Sequence, residues 1–214
     1  MIFNRMWLRP CIVILAVSLY GCAFGNKHAY HDAAIDYRGE GSAKVGIATF
    51  DHRVYVLSND KDPDFVGLQR AGFGNPYDVT TESGRSLAED ITTSLVNALA
   101  KKGFAARPVL VSSTDSIDAA ILALTAHGSD RSILLMLSEW KTDTYNRTGL
   151  YYDVTLMVLD ESGNMLAERS IGGKDNLGGS VWNPPGHAKK AVPLAFKEKM
   201  EELLNNNEVL QALK

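Results

Sequence analysis

Cys22 is the residue whose chemistry the sequence defines best. It follows Leu19-Tyr20-Gly21 at the end of a segment that carries Arg5, Arg9 and an apolar run of ten residues, 11–20. A small residue before a cysteine at the end of such a segment is typical of a bacterial lipobox, where a signal peptide is cut and the new amino-terminal thiol is acylated. Tyr20 departs from the small or branched residues usual there. The sequence predicts that Cys22 carries diacylglyceryl and fatty acyl groups.

The apolar run also decides the location. It is too short for the roughly 20 residues of a spanning helix, so residues 1–21 are interpreted as a lipoprotein signal peptide. An uncleaved anchor or an ordinary cleavage site is the alternative. Ala23 follows the cysteine where an aspartate would favour inner-membrane retention. We expect a lipid-anchored protein on the periplasmic side of the outer membrane, with inner-membrane anchoring as the alternative.

Composition excludes several classes of function. The net charge is −3, and losing Arg5 and Arg9 with the signal peptide lowers it to −5, without basic runs that would suit nucleic acid. The two cysteines are Cys11 and Cys22. The folded part therefore contains no free thiol, which excludes disulfides, thiol catalysis and cysteine metal sites. Apart from the lipid on Cys22, no cofactor is expected.

Two clusters could hold a metal ion. Asp60-Lys-Asp62-Pro-Asp64 alternates like a calcium loop, but Phe65 stands where the loop needs glycine and Ala71 where it needs glutamate. A solvated acidic turn explains it better. His28-Ala-Tyr-His31-Asp32 lies in a polar linker without supporting residues. No metal site is predicted.

Signals for catalysis are weak. Gly39-Glu-Gly41 precedes a strand, whereas a dinucleotide fingerprint follows one, and the glycines within 172–179 lack a P-loop ending. Those glycines indicate turns or a bent strand. Glu139, Asp143 and Asp153 could serve as acid or base groups, but carboxylates at strand ends are usually only solvated. The chain is predicted not to be an enzyme.

Hydrophobic periodicity predicts an α/β (α+β) fold with one mixed β-sheet and helices packed mainly on one face. Ser86 and Glu89 form a capping box at the start of one helix, and Pro193 should kink another helix or delay its start. Strands are predicted at 44–50, 107–111, 133–137, 150–159 and 165–171, and helices at 86–102, 115–127 and 188–204, with a short closing helix after them.

The domain organisation follows from these elements. Residues 22–42 are polar and small, and they are predicted to be a lipidated flexible tether with a reach on the order of 25 Å. Residues 43–214 form a single α/β domain. A long insert follows the first strand, and residues 65–70 and 77–80 could be the arms of a hairpin within it. Whether the insert is a hairpin or a mobile loop is left open.

The insert and one later loop present residues that favour protein interfaces. Arg70, Phe73 and Tyr77 lie in the insert, and Trp182 lies beside Asn183-Pro-Pro-Gly186. They are predicted to bind a partner, with a hairpin that packs its own aromatics onto the body as the alternative. Arg53, in Asp51-His52-Arg53, is a further partner-binding candidate, because the ends of buried strands can face a cleft. Its alternative is a structural corner in which Arg53 pairs with a carboxylate.

Taken together, these features resemble the YajG-type family of uncharacterised bacterial lipoproteins. The resemblance rests on Cys22, on the strand ending in Asp51-His52-Arg53, on the capped helix ending in Lys101-Lys102-Gly103-Phe104, on the stretch 133–171 and on the terminal helix. It covers most of the mature chain by pattern, although the insert is longer than in other members. Related folds act mostly by binding other envelope proteins, which the resemblance implies here as an expectation.

The sequence thus predicts a lipid-anchored cell-envelope lipoprotein whose periplasmic domain binds an envelope protein, with the insert as the contact surface. The first alternative is an accessory lipoprotein of a lipid or solute transport system that carries a hydrophobic ligand. The second is a periplasmic hydrolase.

Overall fold

One mixed sheet of eight strands organises the part of the chain that the computed structural model describes, residues 26–126 and 128–214. The strands are β1 Lys27–His28, β2 Lys44–Asp51, β3 Phe65–Arg70, β4 Pro76–Thr81, β5 Ala105–Pro108, β6 Arg131–Thr144, β7 Arg147–Asp160 and β8 Met165–Gly179. The helices are α1 Val54–Leu57, α2 Leu87–Ala100, α3 Ile117–Thr125, α4 Pro184–Leu204 and α5 Asn207–Ala212, and a 3-10 turn spans Gly72–Gly74. The predicted α/β (α+β) class with one mixed sheet is confirmed.

The sheet forks along one edge of β6. Its other edge pairs with β7 over its whole length, from Arg131 to Thr144. On the forked edge, β2 pairs in parallel with the first half of β6, up to Leu137, and β3 pairs in parallel with the second half, from Thr142. A register shift between Leu137 and Glu139 lies between the two contacts. Two branches, β2–β5 and β3–β4–β1, therefore diverge from one strand.

A buried ion pair fills the fork. Asp51 ends β2, and both of its carboxylate oxygens accept hydrogen bonds from Arg53, at 2.8 Å from Nε and 2.7 Å from Nη2. The same guanidinium donates to the carbonyls of Phe65 at 2.6 Å and Pro63 at 3.2 Å. Although burial disfavours the charge, the hydrogen bond and charge of Asp51 keep the pKa of Arg53 raised. Arg53 thus joins the end of one branch to the start of the other.

The sheet wraps around α4. This helix contacts both β1, at the end of the β3–β4–β1 branch, and β8, which is the outer strand on the β7 side of β6. Its buried residues Val192, Phe196 and Met200 join those of α2 in the main core. Only α3 packs on the opposite face, where Ala120 and Leu124 form a smaller core with β2 and β6. The expectation that helices pack mainly on one face holds for these described elements.

Residues 26–42 are not the tether that was predicted. Within them, Tyr30 and Tyr37 are buried in the main core. The Tyr30 ring packs edge-on against Phe196 at 5.1 Å, and the Tyr30 hydroxyl accepts a hydrogen bond from the Trp140 indole N–H at 3.2 Å. The prediction failed because the segment anchors itself through widely spaced aromatic residues, which give no strand or helix periodicity. We name residues 26–43 the amino-terminal strap.

Other element boundaries also differ from the predicted ones. β6 runs on to Thr144 because Trp140, Thr142 and Thr144 alternate inward, although the segment is mostly polar. β8 extends through the glycines to Gly179, so the bent-strand alternative for 172–179 describes them. Helix α4 begins at Pro184, after the Asn183 cap, and continues through Pro193. The insert contains the β3–β4 hairpin.

The fork generates a first prediction. Replacing Arg53 with methionine should lower the free energy of unfolding by about 3–5 kcal/mol, because it leaves the Asp51 carboxylate buried without its partner. Urea denaturation of the purified variant and the parent measures this loss.

Arg70→Met supplies the matched control. Arg70 makes the same two-pronged contact with Asp143, at 2.8 and 2.6 Å, but on the surface. Its removal should cost much less, because solvent screens exposed pairs. Equal losses at the two sites would contradict a special role for the buried pair.

The strap generates a second prediction. Burial, with a smaller contribution from Lys189, lowers the pKa of His28 from 6.5 to about 4. As the pH drops from 6.5 to about 4, His28 therefore binds a proton in the unfolded chain but not in the folded protein. The free energy of unfolding should fall through this pH range, by up to about 3 kcal/mol. In His28→Gln that contribution disappears. Urea titrations at several pH values give the free energy of unfolding of the parent and of His28→Gln as a function of pH. Equal pH dependence in the two proteins would contradict the assignment.

Candidate interaction surfaces

Several chain connections meet at one end of the sheet. The strands β6 and β7 are joined there by residues 145–146, and β8 ends there because Gly179 lies opposite Arg147. The β3–β4 turn lies at the same end, because β3 runs parallel to β6 and its last pair is Arg70 with Pro76. We name residues 71–77, 145–146 and 180–183 the aromatic end.

Large apolar side chains project from the aromatic end into solvent. Trp182 is 96% exposed and Phe73 is fully exposed, and neither contributes to a hydrophobic core of the described chain. Exposed apolar groups gathered in one place mark an interaction site more often than isolated ones do. The set comprises Phe73, Tyr77, Tyr145, Val181 and Trp182. Sequence reasoning found three of these residues and missed Tyr145 and Val181, which only the strand topology brings to this end.

The backbone at Phe73 is held in an unfavourable conformation. Its φ is +65°, in the left-handed region that a bulky residue seldom adopts. A hydrogen bond from the Ala71 amide to the Asn75 carbonyl, 3.0 Å, closes the turn around it. Such strain persists where the surrounding structure imposes it, and it is concentrated at functional sites. Here it directs the Phe73 ring away from the domain.

Arg70 and Tyr77 flank the same hairpin. The Arg70 guanidinium pairs with Asp143 on β6, which ties the hairpin to the sheet. Tyr77 is partly exposed on β4. Both residues remain candidates for contact with a partner, and Arg70 also holds the hairpin against β6.

Arg53 is not a surface residue. Its side chain is completely buried in the fork, so no partner can reach it in this structure. The alternative interpretation of Asp51-His52-Arg53, a structural corner with a paired arginine, describes what is seen.

The chain enters the described domain at the aromatic end. β1 runs parallel to β4, and Thr80 donates its amide hydrogen to the Asn26 carbonyl at 3.3 Å. Asn26, the first described residue, therefore lies at the end of β1 that faces Pro76. The Asn26 side chain donates to the Pro185 carbonyl at 3.1 Å, three residues beyond Trp182. Cys22, the predicted lipidation site, lies outside the described residues.

A groove of about 330 Å³ forms a second surface, at the carboxyl ends of β2 and β5. Its wall is apolar, with Val109 and Ala88, and Leu110 is 83% exposed beside it. Clefts at the carboxyl ends of parallel strands are common ligand sites. Sequence reasoning missed this groove, because it placed Leu110 inside a strand that in fact ends at Pro108.

Polar groups surround the groove. Thr92 donates a hydrogen bond to Thr49 at 2.9 Å on its floor. Asp90, behind the rim, is buried, which raises the pKa of its carboxyl, although Ser83 and Arg85 oppose that shift. Glu89 closes the capping box with Ser86 and so is committed to the helix start. The groove suits an apolar side chain on a segment whose backbone can bond to hydroxyl groups.

The other residues considered for chemistry are engaged elsewhere. Glu139 accepts a hydrogen bond from Tyr55 at 2.6 Å, and Asp153 is its cross-strand neighbour. In the acidic turn, Asp60 accepts from Ser58 at 2.7 Å. Within residues 26–126 and 128–214, no group of three or more histidine, cysteine or acidic residues could hold a metal ion. No helix in the same residues is long and apolar enough to span a membrane.

The fold of this chain is also found in known proteins. No family model matches the chain, and no curated protein matches it. Solved structures do. Protein XCC0632 from Xanthomonas campestris, of the DUF330 family, has a TM-score of 0.58 at 10% identity, over 88% of this chain and 98% of its own.

More distant likenesses are also found. PelC from Paraburkholderia phytofirmans, a dodecamer, has a TM-score of 0.43 at 14% identity, over 82% of this chain and 93% of its own. Lipoprotein GNA1162 from Neisseria meningitidis has a TM-score of 0.30 at 14% identity, over 73% of this chain and 99% of its own. At these identities only the fold shared with XCC0632 is shown, and membership of the YajG-type family stays a prediction.

Proposed function

We propose that this chain is a lipid-anchored envelope lipoprotein that acts by binding a protein partner rather than by catalysis. Cys22 carries the anchor, and Ala23 after it favours the outer membrane, facing the periplasm. The partner contributes an apolar side chain that enters the groove beside Leu110.

The observation that carries this proposal is the exposure of Leu110 beside the groove. A leucine 83% exposed at a cleft lined by apolar side chains and by hydroxyl groups is the arrangement of an unfilled contact site. The edge of β5 is also free of a second strand within the described chain, so an extended partner segment could add to it.

The groove replaces the insert as the proposed protein-contact surface for a physical reason. Arg53 is internal, and Phe73 and Tyr77 lie at the end of the domain that Asn26, four residues after Cys22, faces. An anchor on Cys22 holds that end against the membrane, where a soluble partner has least access. The groove lies at the end of β5, which pairs with β2, and β2 in turn pairs with the first half of β6, whereas the aromatic end follows Thr144 at the end of β6.

The first alternative predicted from the sequence is a transport accessory that carries a hydrophobic ligand, and the volume of the groove limits the size of such a ligand. About 330 Å³ lies at the lower end of the usual range for small-molecule sites, which is about 300–1,000 Å³. Such a groove suits one or two side chains better than the acyl chains of a membrane lipid.

A capture experiment tests the proposal. Leu110→Asp in the full-length lipidated protein should weaken capture of a discrete protein from crosslinked envelope fractions by roughly 30-fold, the effect of losing an interface residue worth about 2 kcal/mol. Leu122→Asp is the matched control, since Leu122 is also well exposed but lies outside the groove lining.

Two outcomes would contradict the proposal. Equal capture by the two variants would remove the groove from the partner contact. Mass spectrometry of the amino-terminal peptide from the same preparations reports the anchor, and a peptide without acylated Cys22 would overturn the lipoprotein assignment.

A further inference from the structure

We propose that the aromatic end is a membrane-docking surface, which inserts Trp182, Phe73, Val181 and Tyr145 into the interface of the bilayer that holds Cys22. This inference rests on the lipidation in the proposed function and adds the orientation of the domain. The occupant of the surface is lipid, and the groove stays free for the protein partner.

The first step is the direction of the chain. Because β1 is parallel to β4, and β4 begins at Pro76 beside the Phe73 turn, Asn26 lies at the end of β1 that faces the aromatic end. The bond from Asn26 to Pro185 places the entry next to the loop that carries Trp182. Chain entry and exposed aromatic residues therefore share one end of the domain.

The second step is the length of chain between the anchor and the domain. Four residue steps separate Cys22 from Asn26. Even fully extended they span at most about 14 Å. The polar layer of one leaflet is itself about 5–8 Å thick, so little room is left for water between the domain and the bilayer. The packed strap makes this limit strict, because residues 26–43 cannot lengthen the linker while Tyr30 and Tyr37 stay in the core.

The third step is the chemistry of the exposed side chains. Tryptophan and tyrosine concentrate at membrane–water interfaces, where the ring meets hydrocarbon and the polar atom meets headgroups. Phe73 and Val181 supply apolar surface at the same level, and the left-handed turn holds Phe73 outward. Four such groups on three separate connections match a surface that touches a plane.

The fourth step is charge. Arg147 lies at this end, opposite Gly179, is exposed, and forms no ion pair among the residues that the structure describes. Lys27 is exposed one residue beyond the entry point. Cations beside aromatic residues favour a bilayer that contains anionic lipid. Lipid is therefore a better match for this end than a protein partner.

Tryptophan fluorescence provides the test. The sequence contains three tryptophans, Trp7, Trp140 and Trp182, and removal of residues 1–21 leaves the last two. Trp140 is buried, so Trp182 is the one that can report contact. The acylated mature protein is reconstituted into vesicles of phosphatidylethanolamine and phosphatidylglycerol, with or without brominated acyl chains. Bromine should reduce the Trp182 emission about twofold, because an interfacial indole lies near the upper acyl chain.

Control variants isolate the signal. Trp182→Phe should leave only the Trp140 emission, which bromine should not change. Leu122→Trp added to Trp182→Phe places a reporter at a well-exposed position on α3, and its emission should remain unquenched. Arg147→Ser should weaken the Trp182 quenching in vesicles with phosphatidylglycerol more than in vesicles without it.

The outcomes separate this inference from the proposed function. If the acylated protein floats with the vesicles and Trp182 is not quenched, the domain stands away from the bilayer and the docking surface is wrong, while the anchor stands. Quenching that is equal at Trp182 and at Leu122→Trp would also overturn it, because contact would then be unspecific. If Cys22 is not acylated and the protein stays in solution, both proposals fall.

Discussion

The structure depends on the ion pair between Asp51 and Arg53. Two branches of the sheet leave the same edge of β6, where the pairing with β2 ends at Leu137 and the pairing with β3 begins at Thr142. The Arg53 guanidinium joins these branches, because one flat group reaches the Asp51 carboxylate and the carbonyls of Phe65 and Pro63 together. A charge is an expensive group to bury, so it is retained where several strong hydrogen bonds satisfy it. The hairpin that carries Phe73 begins at the β3 side of this contact.

The amino-terminal strap gives the fold its orientation. Tyr30 lies between Trp140 and Phe196, and thereby connects the strap to the sheet and to α4. The strap brings the chain in beside the aromatic end and shortens the link to Cys22 to a few residues. The proposed docking of this end on the bilayer would account for the short linker, the exposed rings and the strained turn at Phe73 together. In that arrangement the groove beside Leu110 would stay open for the proposed protein partner.

Sequence reasoning succeeded where one local rule decides the structure. The capping box at Ser86 and Glu89, the mixed sheet and the β3–β4 arms followed from periodicity and turn residues. It failed where distant contacts decide. The strap is ordered by Tyr30 packing on residues more than a hundred positions away, and Arg53 is internal because of a fork that no single strand reveals. Phe73 and Trp182 were visible one by one, but Tyr145 joins them only through the pairing of β3 with β6 and of β7 with β8. Leu110 was misplaced because β5 ends early, at Pro108.

The separation between domain and bilayer tests the central claim most directly. Neutron reflectometry on a supported bilayer that carries the acylated protein resolves the protein, lipid and water layers along the membrane normal. A packed strap and a docked aromatic end predict that the protein layer begins in the headgroup region, with no water layer between. A flexible tether over residues 22–42 would instead leave a gap on the order of 25 Å. A hydrated gap of that size would contradict the account, because it would require the strap to detach and the aromatic end to remain in water.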